Sequence, residues 1–456
     1  MTMLNSIEAR DIAYHLHSYT DARAHQQRGP LVIEKGDGIY VEDASGRRYI
    51  EAMAGLWSVA VGFSEPRLVE AATRQMQRLP FYHTFTHKSH GPVVDLAEKL
   101  IAMAPVPMSK VYFTNSGSEA NDTVLKLLWY RSNALGEPQR KKVISRRRAY
   151  HGVTIAAASL TGLPHNHGSF DLPLSQVIHL TCPHFWREAA SGEAEEQFVQ
   201  RLAYELEQTI LTEGPETIAA FIGEPLMGAG GVVVPPQGYW AAIQQVLKKY
   251  DILLVADEVI CGFGRTGRMF GSETYDITPD IMVLSKQLSS SYIPISAVLI
   301  NEKVFQPIAD ESNRIGMLGH GFTGSGHPVA AAVALENIKI IEERGLVEKA
   351  KNVGTHMQAR LRCLNDHPLV GETRGIGLIG AVELLANKET KSPWGKPGAL
   401  GRLVNRKMED LGVITRNMGD ALAFSPPLII NEAQIDEVFD RLEEALGFAA
   451  TEIGVN

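Results

Sequence analysis

The stretch SKVYFTNSGSEANDTVLKLLWYR, residues 109–131, changes its hydrophobic period in mid-course. SKVYFT is short, largely apolar and β-prone, whereas Ala120, Val124, Leu127 and Leu128 keep the spacing of one helical face. A strand therefore runs into a helix through Asn115, Ser116, Gly117 and Ser118. Similar strands recur at KKVIS (141–145), TIAAFIG (217–223), DILLVAD (251–257), IMVLS (281–285) and SAVLI (296–300). Strands apolar throughout are covered on both faces, and helices between them imply a mostly parallel sheet.

The chain ends have a different texture. GDGIYVEDASGRRYIEA (36–52) reads as two alternating strands around a turn at Ala44, Ser45 and Gly46. HPVAAAVALENIKIIEERG (327–345) reads as a helix with Pro328 near its start and Gly345 as its stop. An amphipathic helix over 346–365, the strand-rich VGETRGIGLIGAVEL and a Lys/Pro/Gly loop at 386–399 follow. A last helix opens at Asn431, with Gln434 three residues on and Ile435, Val438, Phe439 and Leu442 on one face. The expected fold is α/β. Residues 65–330 form a large domain, and 1–64 join 331–456 in a smaller α+β domain.

A length of 456 residues, 45% hydrophobic and 21% charged, describes an ordinary globular chain. With 44 basic against 52 acidic residues the net charge is −8, no footprint for nucleic acid or an anionic membrane. No apolar run approaches a membrane span, and the first residues carry early acids without the apolar core of a signal peptide. Cys182, Cys261 and Cys363 are too few and too scattered for a disulfide framework, so a reducing cytoplasm is expected.

Several motifs have competing readings. In TNSGSEAND the helix start, hydroxyls and glycine suit a phosphate, but Ser and Asn are equally favoured there as plain caps. GFGRTG (262–267) matches a dinucleotide fingerprint, yet the following RMFGSETYDITPD has no helical period, so that reading fails. VADEV ends a strand with Asp257 and Glu258, which either meet solvent or face a cation at the ligand-binding end of the sheet. His83, His87 and His90 lack a carboxylate partner, HLTCPH lacks a second ligand pair and PHNHGS reads as a turn, so no metal site is expected. Lys286 follows IMVLS and precedes a serine tract, where a lysine meeting solvent is the bland alternative. Taken together, a phosphate cradle, an acid, the aromatic of RAYHG (148–152) and a lone lysine lie at the C-terminal ends of strands. That set fits pyridoxal phosphate.

The ordered series NSGSEAND, YHG, GEPLMGAGG, DEVICGFGRTG, SK and HGFTGSGHP resembles the class III (fold-type I) pyridoxal-phosphate aminotransferases, and among them the amine:pyruvate ω-transaminases. The resemblance extends from GRRYIEAMAGLW to LAFSPPLII. It implies that Lys286 is the Schiff-base and proton-transfer lysine and that Asp257 pairs with the cofactor's ring nitrogen. Val259 and Tyr150 would flank the ring, and Glu224 would stand near Asp257 and the phenolic oxygen. Ser116, Gly117 and Ser118 would hold the phosphate, joined by Thr323 of a second chain with Phe322 beside it, which implies a homodimer with shared sites. Trp57 and Phe85, with Tyr19, Leu56 and Ala229, match pocket positions, and Arg416 matches an arginine that receives a carboxylate. Core packing and a surface strand are the plain alternatives for Trp57 and Arg416. Thr86 and Lys88 depart from the aromatic and arginine common in close relatives.

The implied reaction moves an amino group from a primary amine or ω-amino acid to pyruvate in a ping-pong cycle. β-Alanine, γ-aminobutyrate, taurine and putrescine remain alternative donors. An aminomutase or decarboxylase of the same fold is the enzymatic rival. A cofactor-holding DNA-binding regulator is the non-enzymatic one, for which the chain shows no basic helix-turn-helix segment.

Overall fold

A computed structural model describes residues 6–455. Its central sheet has seven strands in the order Lys110–Thr114, Ser296–Ile300, Ile281–Leu284, Leu253–Asp257, Ile218–Gly223, Lys142–Arg146 and Val177–Leu180. Every strand points the same way except Ser296–Ile300, which is antiparallel to both neighbours.

The near-continuous apolar runs are explained by cover on both faces. Val143, Ala220, Val255, Val283 and Val298 pack with the helix Gly117–Ala134, which contributes Val124, Leu125, Leu127 and Leu128. Their neighbours Ile144, Phe221 and Leu254 turn the other way, toward helices Glu195–Glu213 and Tyr239–Lys249. Period-2 alternation thus survives inside strands that look uniformly apolar.

Two four-stranded sheets complete the chain. Strands Ile33–Asp37, Tyr40–Asp43 and Arg48–Glu51 are joined by Val413–Ile414 from the other end of the sequence. The second sheet runs Val370–Ile376, Ile379–Leu384, Ala421–Phe424, Arg416–Met418. At the last helix, Asn431 Oδ1 accepts from Gln434 N–H (2.9 Å) while Gln434 Oε1 accepts from Asn431 N–H (3.1 Å), the reciprocal cap read in the sequence.

Three details differ from the sequence reading. The edge strand Val177–Leu180 is only four residues long and interrupted by His179, so it carries little periodic signal. Ile33–Asp37 is mostly exposed and hides its pattern likewise. Gly345, expected as a helix stop, lies just beyond Pro328–Glu343 with φ +58° and also opens Leu346–Cys363, so one left-handed bend serves two helices. Among the described residues no helix is long and apolar enough to cross a membrane.

GFGRTG forms turns rather than opening a helix. Its Arg265 is fully buried, Nη1 donating to Leu378 O (2.9 Å) and Pro426 O (2.6 Å) and Nη2 to Gln287 Oε1 (3.1 Å). The segment therefore fastens distant parts of the chain.

Helix Leu346–Cys363 approaches the turn between strands Val370–Ile376 and Ile379–Leu384 so closely that a Cβ on Gly354 would lie 2.5 Å from the Gly377 carbonyl carbon. Gly354→Ala is expected to lower stability by about 1–3 kcal/mol through overpacking. Gly447→Ala, on an exposed helical position with open space around it, should be neutral or stabilising by up to about 1 kcal/mol. Urea-unfolding midpoints of the two variants check this, and equal losses would contradict the packing argument.

Candidate active site

The parallel strands deliver their C-terminal residues to one place. Asp257 closes its strand and is almost fully buried. His151 Nδ1–H (2.7 Å) and Asn121 Nδ2–H (3.0 Å) both donate to Asp257 Oδ2, and Val259 N–H donates to Oδ1 (3.1 Å). Burial works to raise this carboxyl, but those donors prevail and hold it below its ordinary value. Its neighbour Glu258 points elsewhere. Glu258 accepts from Gly271 N–H (2.9 Å), Ser272 N–H (2.6 Å) and Ser272 Oγ–H (2.6 Å), and burial pushes it up to about 7. The two adjacent acids thus take opposite fates, one facing the cavity and one bracing a turn.

Lys286 sits directly beyond strand Ile281–Leu284 with φ +44°, a left-handed backbone that costs a side-chain-bearing residue about 1–2 kcal/mol. The following serines secure that turn. Ser289 Oγ donates to Ile293 O (2.7 Å), while Ser290 Oγ donates to Asn337 Oδ1 (2.6 Å) and accepts from Ala60 N–H (3.1 Å). Deep placement pushes the Lys286 amine down to about 8, against the pull of the Asp257 and Glu224 carboxylates. Glu224 follows the next strand and accepts from Tyr150 N–H (3.0 Å) and Gly228 N–H (2.8 Å), its carboxyl raised by burial.

These groups line a cavity of about 530 Å³, within the range of small-molecule sites. Gly117 and Ser118 bring the start of helix Gly117–Ala134, whose first N–H groups have no partner within the helix, to its wall. Tyr150, Val259, Leu56, Ala229, Tyr19 and Arg416 also line it. Trp57 does so while being 1% exposed, so core packing and pocket lining are both true of it. Its loop is held in left-handed backbone at Ala54, Gly55 and Trp57 (φ +49°, +65°, +66°). The buried Glu51 accepts the N–H groups of Met53 and Gly55 and fixes that shape. Tyr19 meets Tyr150 edge-on at 6.5 Å and accepts from Asn166 Nδ2–H (2.6 Å). Arg416 is half-buried; burial lowers its pKa, and the groups acting on its charge are the phenols of Tyr150 and Tyr19.

Other expected residues lie apart from this cavity. Ser116 is the helix cap, its Oγ accepting from Glu119 N–H (3.2 Å), the plain alternative weighed for it. Phe85 is exposed and lies against Gly321, while Phe322 is half-buried and Thr323 exposed; none of the three lines the chain's own cavity. Lys88 Nζ folds back on Thr86, donating to its carbonyl (3.3 Å) and hydroxyl (3.1 Å). His90 caps the helix Gly91–Met103. Conversely, Asn121, His151 and Gly152 were not singled out from the sequence. Asn121 lies one turn from Gly117 on the same helical face, which is the signal that could have found it.

The buried polar atoms test what this site holds. His151 Nε2 and Asn121 Oδ1 lack hydrogen-bond partners among the described residues. An ionised buried carboxylate, an amine poised near 8 and a helix start match, in turn, a protonated pyridine, an aldehyde and a phosphate. Gly152 preserves the cradle, since a Cβ there would lie 2.5 Å from Ser118 Oγ. Fold and site together define a pyridoxal-phosphate enzyme with a doubly covered α/β sheet. The chain belongs to the class III aminotransferases, whose family model matches residues 21–446.

The relatives agree. The chain is 51% identical to γ-aminobutyrate transaminase 1, mitochondrial, of Solanum lycopersicum, over 91% of this chain and 81% of that protein. It superposes on the ω-transaminase of Pseudomonas jessenii in complex with PMP at a TM-score of 0.98 and 63% identity, covering 98% of this chain and 99% of that one. A transaminase solved with L-alanine matches at a TM-score of 0.92 and 70% identity, covering 92% of this chain and all of that one. The protein is an aminotransferase that uses pyridoxal phosphate.

The Lys286 amine has a definite linkage sign. Its folded value of about 8 lies below its ordinary 10.5, so between those values the unfolded chain holds the proton more tightly. Stability of the cofactor-free protein therefore gains from this group as pH rises from 8 to 10. Lys286→Met should be more stable than the native chain at pH 7.5, with the advantage shrinking toward pH 10. Urea titrations at several pH values measure it, and an advantage that grows with pH would refute the assignment.

Proposed function

We propose that this aminotransferase moves an amino group from a primary amine or ω-amino acid to pyruvate in a ping-pong cycle. The reading rests above all on a depressed Lys286 amine and an ionised Asp257 sharing one cavity with Trp57 and Arg416. Bound pyridoxal phosphate supplies a pyridinium ring that draws electron density from the substrate carbon. Asp257, kept ionised by His151 and Asn121, would accept the ring N–H. Lys286 Nζ, whose hold on its proton is weakened to about 8 by burial, would take the proton from the substrate carbon. Gly117 and Ser118 would hold the phosphate, Tyr150 and Val259 would confine the ring, and Glu224 would steady the polar edge.

Trp57, Leu56 and Tyr19 give an aromatic, largely uncharged wall for the donor. Arg416, acted on by phenols rather than by an acid, is free to receive a carboxylate in the same space. The neighbour solved with L-alanine, the amino counterpart of pyruvate, supports that acceptor. The γ-aminobutyrate transaminases support a second reading for the donor, an ω-amino acid whose carboxylate also pairs with Arg416.

The placement of Phe85, Phe322 and Thr323 supports a homodimer as our reading. They sit together at the surface, apart from their own cavity, where a second chain's site can receive them. Three free cysteines accord with a reducing compartment, and the cytoplasm is our assignment.

Visible absorption of the holoenzyme decides between the donors. 1-Phenylethylamine alone should bleach the yellow band and pyruvate should restore it. A band that responds to γ-aminobutyrate but not to the aryl amine moves the donor to ω-amino acids; a band indifferent to both ends the proposal. Arg416→Ala should raise KM for pyruvate by about 10–100-fold, the worth of a charged hydrogen bond. KM for 1-phenylethylamine should change little.

A further inference from the structure

Beside the active-site cavity but outside its lining, the N-terminal segment gathers three imidazoles around one carboxylate. Asp11 lies on helix Ile7–Tyr14, and His15 follows one turn later as its C-terminal cap. His17 stands two residues on, and His25 comes from the helix Ala22–Arg28. His15 Nδ1 is 3.1 Å from Asp11 Oδ2, and His17 Nε2 is 2.8 Å from Oδ1 and 3.0 Å from Oδ2. His25 Nε2 is 2.9 Å from Oδ1. Ring centroids of His15 and His17 are 4.3 Å apart, and those of His17 and His25 4.1 Å. The ligand atoms of Asp11, His15 and His17 all lie within 4.8 Å of one another. A pocket of about 230 Å³ runs alongside, lined by all three histidines.

We propose that Asp11, His15 and His17, with His25 completing the set, bind a divalent first-row transition cation such as Zn2+. Three imidazoles and a carboxylate are the donors such ions take, and four ligands suit a tetrahedral site. Ligand atoms around tetrahedral zinc are about 3.3 Å apart, given bonds of roughly 2.0–2.1 Å. The His–Asp separations of 2.8–3.1 Å need to open by only a few tenths of an ångström, while the imidazole nitrogens close on one another, His25 moving in from outside the Asp11–His15–His17 group, and each ligating nitrogen gives its proton to the other ring nitrogen. The ion ties the two short helices together, and between them Ser18 and Tyr19 line the active-site cavity. Bound metal thus pins the segment that lays Tyr19 beside Tyr150. The sequence reading passed over these residues because Asp-x3-His-x-His and a distant His25 match no common ligand spacing.

Equilibrium dialysis of the chelator-treated holoenzyme against Zn2+ tests the site. One ion per chain is expected for the native protein. Asp11→Asn and His17→Gln should each bind at least about tenfold more weakly, since even changes behind the ligands cost about 10–100-fold. Neither helix contains a buried residue, so both variants should keep the native fold and the cofactor's absorption. Co2+ should give a visible band in the native chain alone, and Zn2+ should slow tryptic cleavage at Arg23 several-fold there alone. Zn2+ uptake equal in native protein and variants, or absent from the native protein, shows a hydrogen-bonded cluster only and overturns the proposal. Cleavage indifferent to the ion does the same for the pinning.

Discussion

The site depends on keeping one carboxylate charged where water cannot reach it. Asp257 is buried at a strand end, and low dielectric alone would make it a neutral acid. Three donors from three parts of the chain prevent that: His151 after one strand, Asn121 on the first long helix, and the backbone of Val259. All require the parallel sheet to end in register, so the fold's regularity is what sets the charge state. The same burial that threatens Asp257 depresses Lys286 to about 8, so one environment holds a carboxylate ionised and loosens an ammonium's hold on its proton.

Much of this was legible because strands covered on both faces leave uninterrupted apolar runs. The residue that matters then comes immediately after each run: Asp257 after LLVA, Lys286 after IMVLS, Glu224 after TIAAFIG. The capping box at Asn431 and Gln434 was equally plain, because both halves lie within four residues. At TNSGSEAND the residues divide once side chains are placed. Ser116 caps, whereas Gly117 and Ser118 face the cavity.

What was not legible depends on direction and on distance along the chain. Asp257 and Glu258 are neighbours of the same kind, and only the pleat decides which faces the cavity. Arg265 within GFGRTG looks like part of a ligand loop, yet it is a buried fastener to Leu378 and Pro426, more than a hundred residues on. Phe85, expected among the pocket residues, stands outside its own chain's cavity, a relation no single sequence displays. The cluster around Asp11 escaped notice for a similar reason, being assembled by a bend between two short helices.

The small sheet that supports the Trp57 loop has an implication for how the protein is made. Ile50 N–H donates to Gly412 O (2.9 Å), Ala52 N–H to Ile414 O (3.0 Å), and Ser425 N–H to Ala52 O (2.7 Å). A strand near the beginning of the chain is thus completed by one near its end. At about 5–20 residues per second, translation leaves that first hairpin without its closing partner for roughly 20–70 s. The large sheet, whose strands all lie between those two points, is finished in the meantime. The Trp57 wall of the cavity is therefore the last part of the pocket to set, after the ribosome has already delivered Lys286 and Asp257.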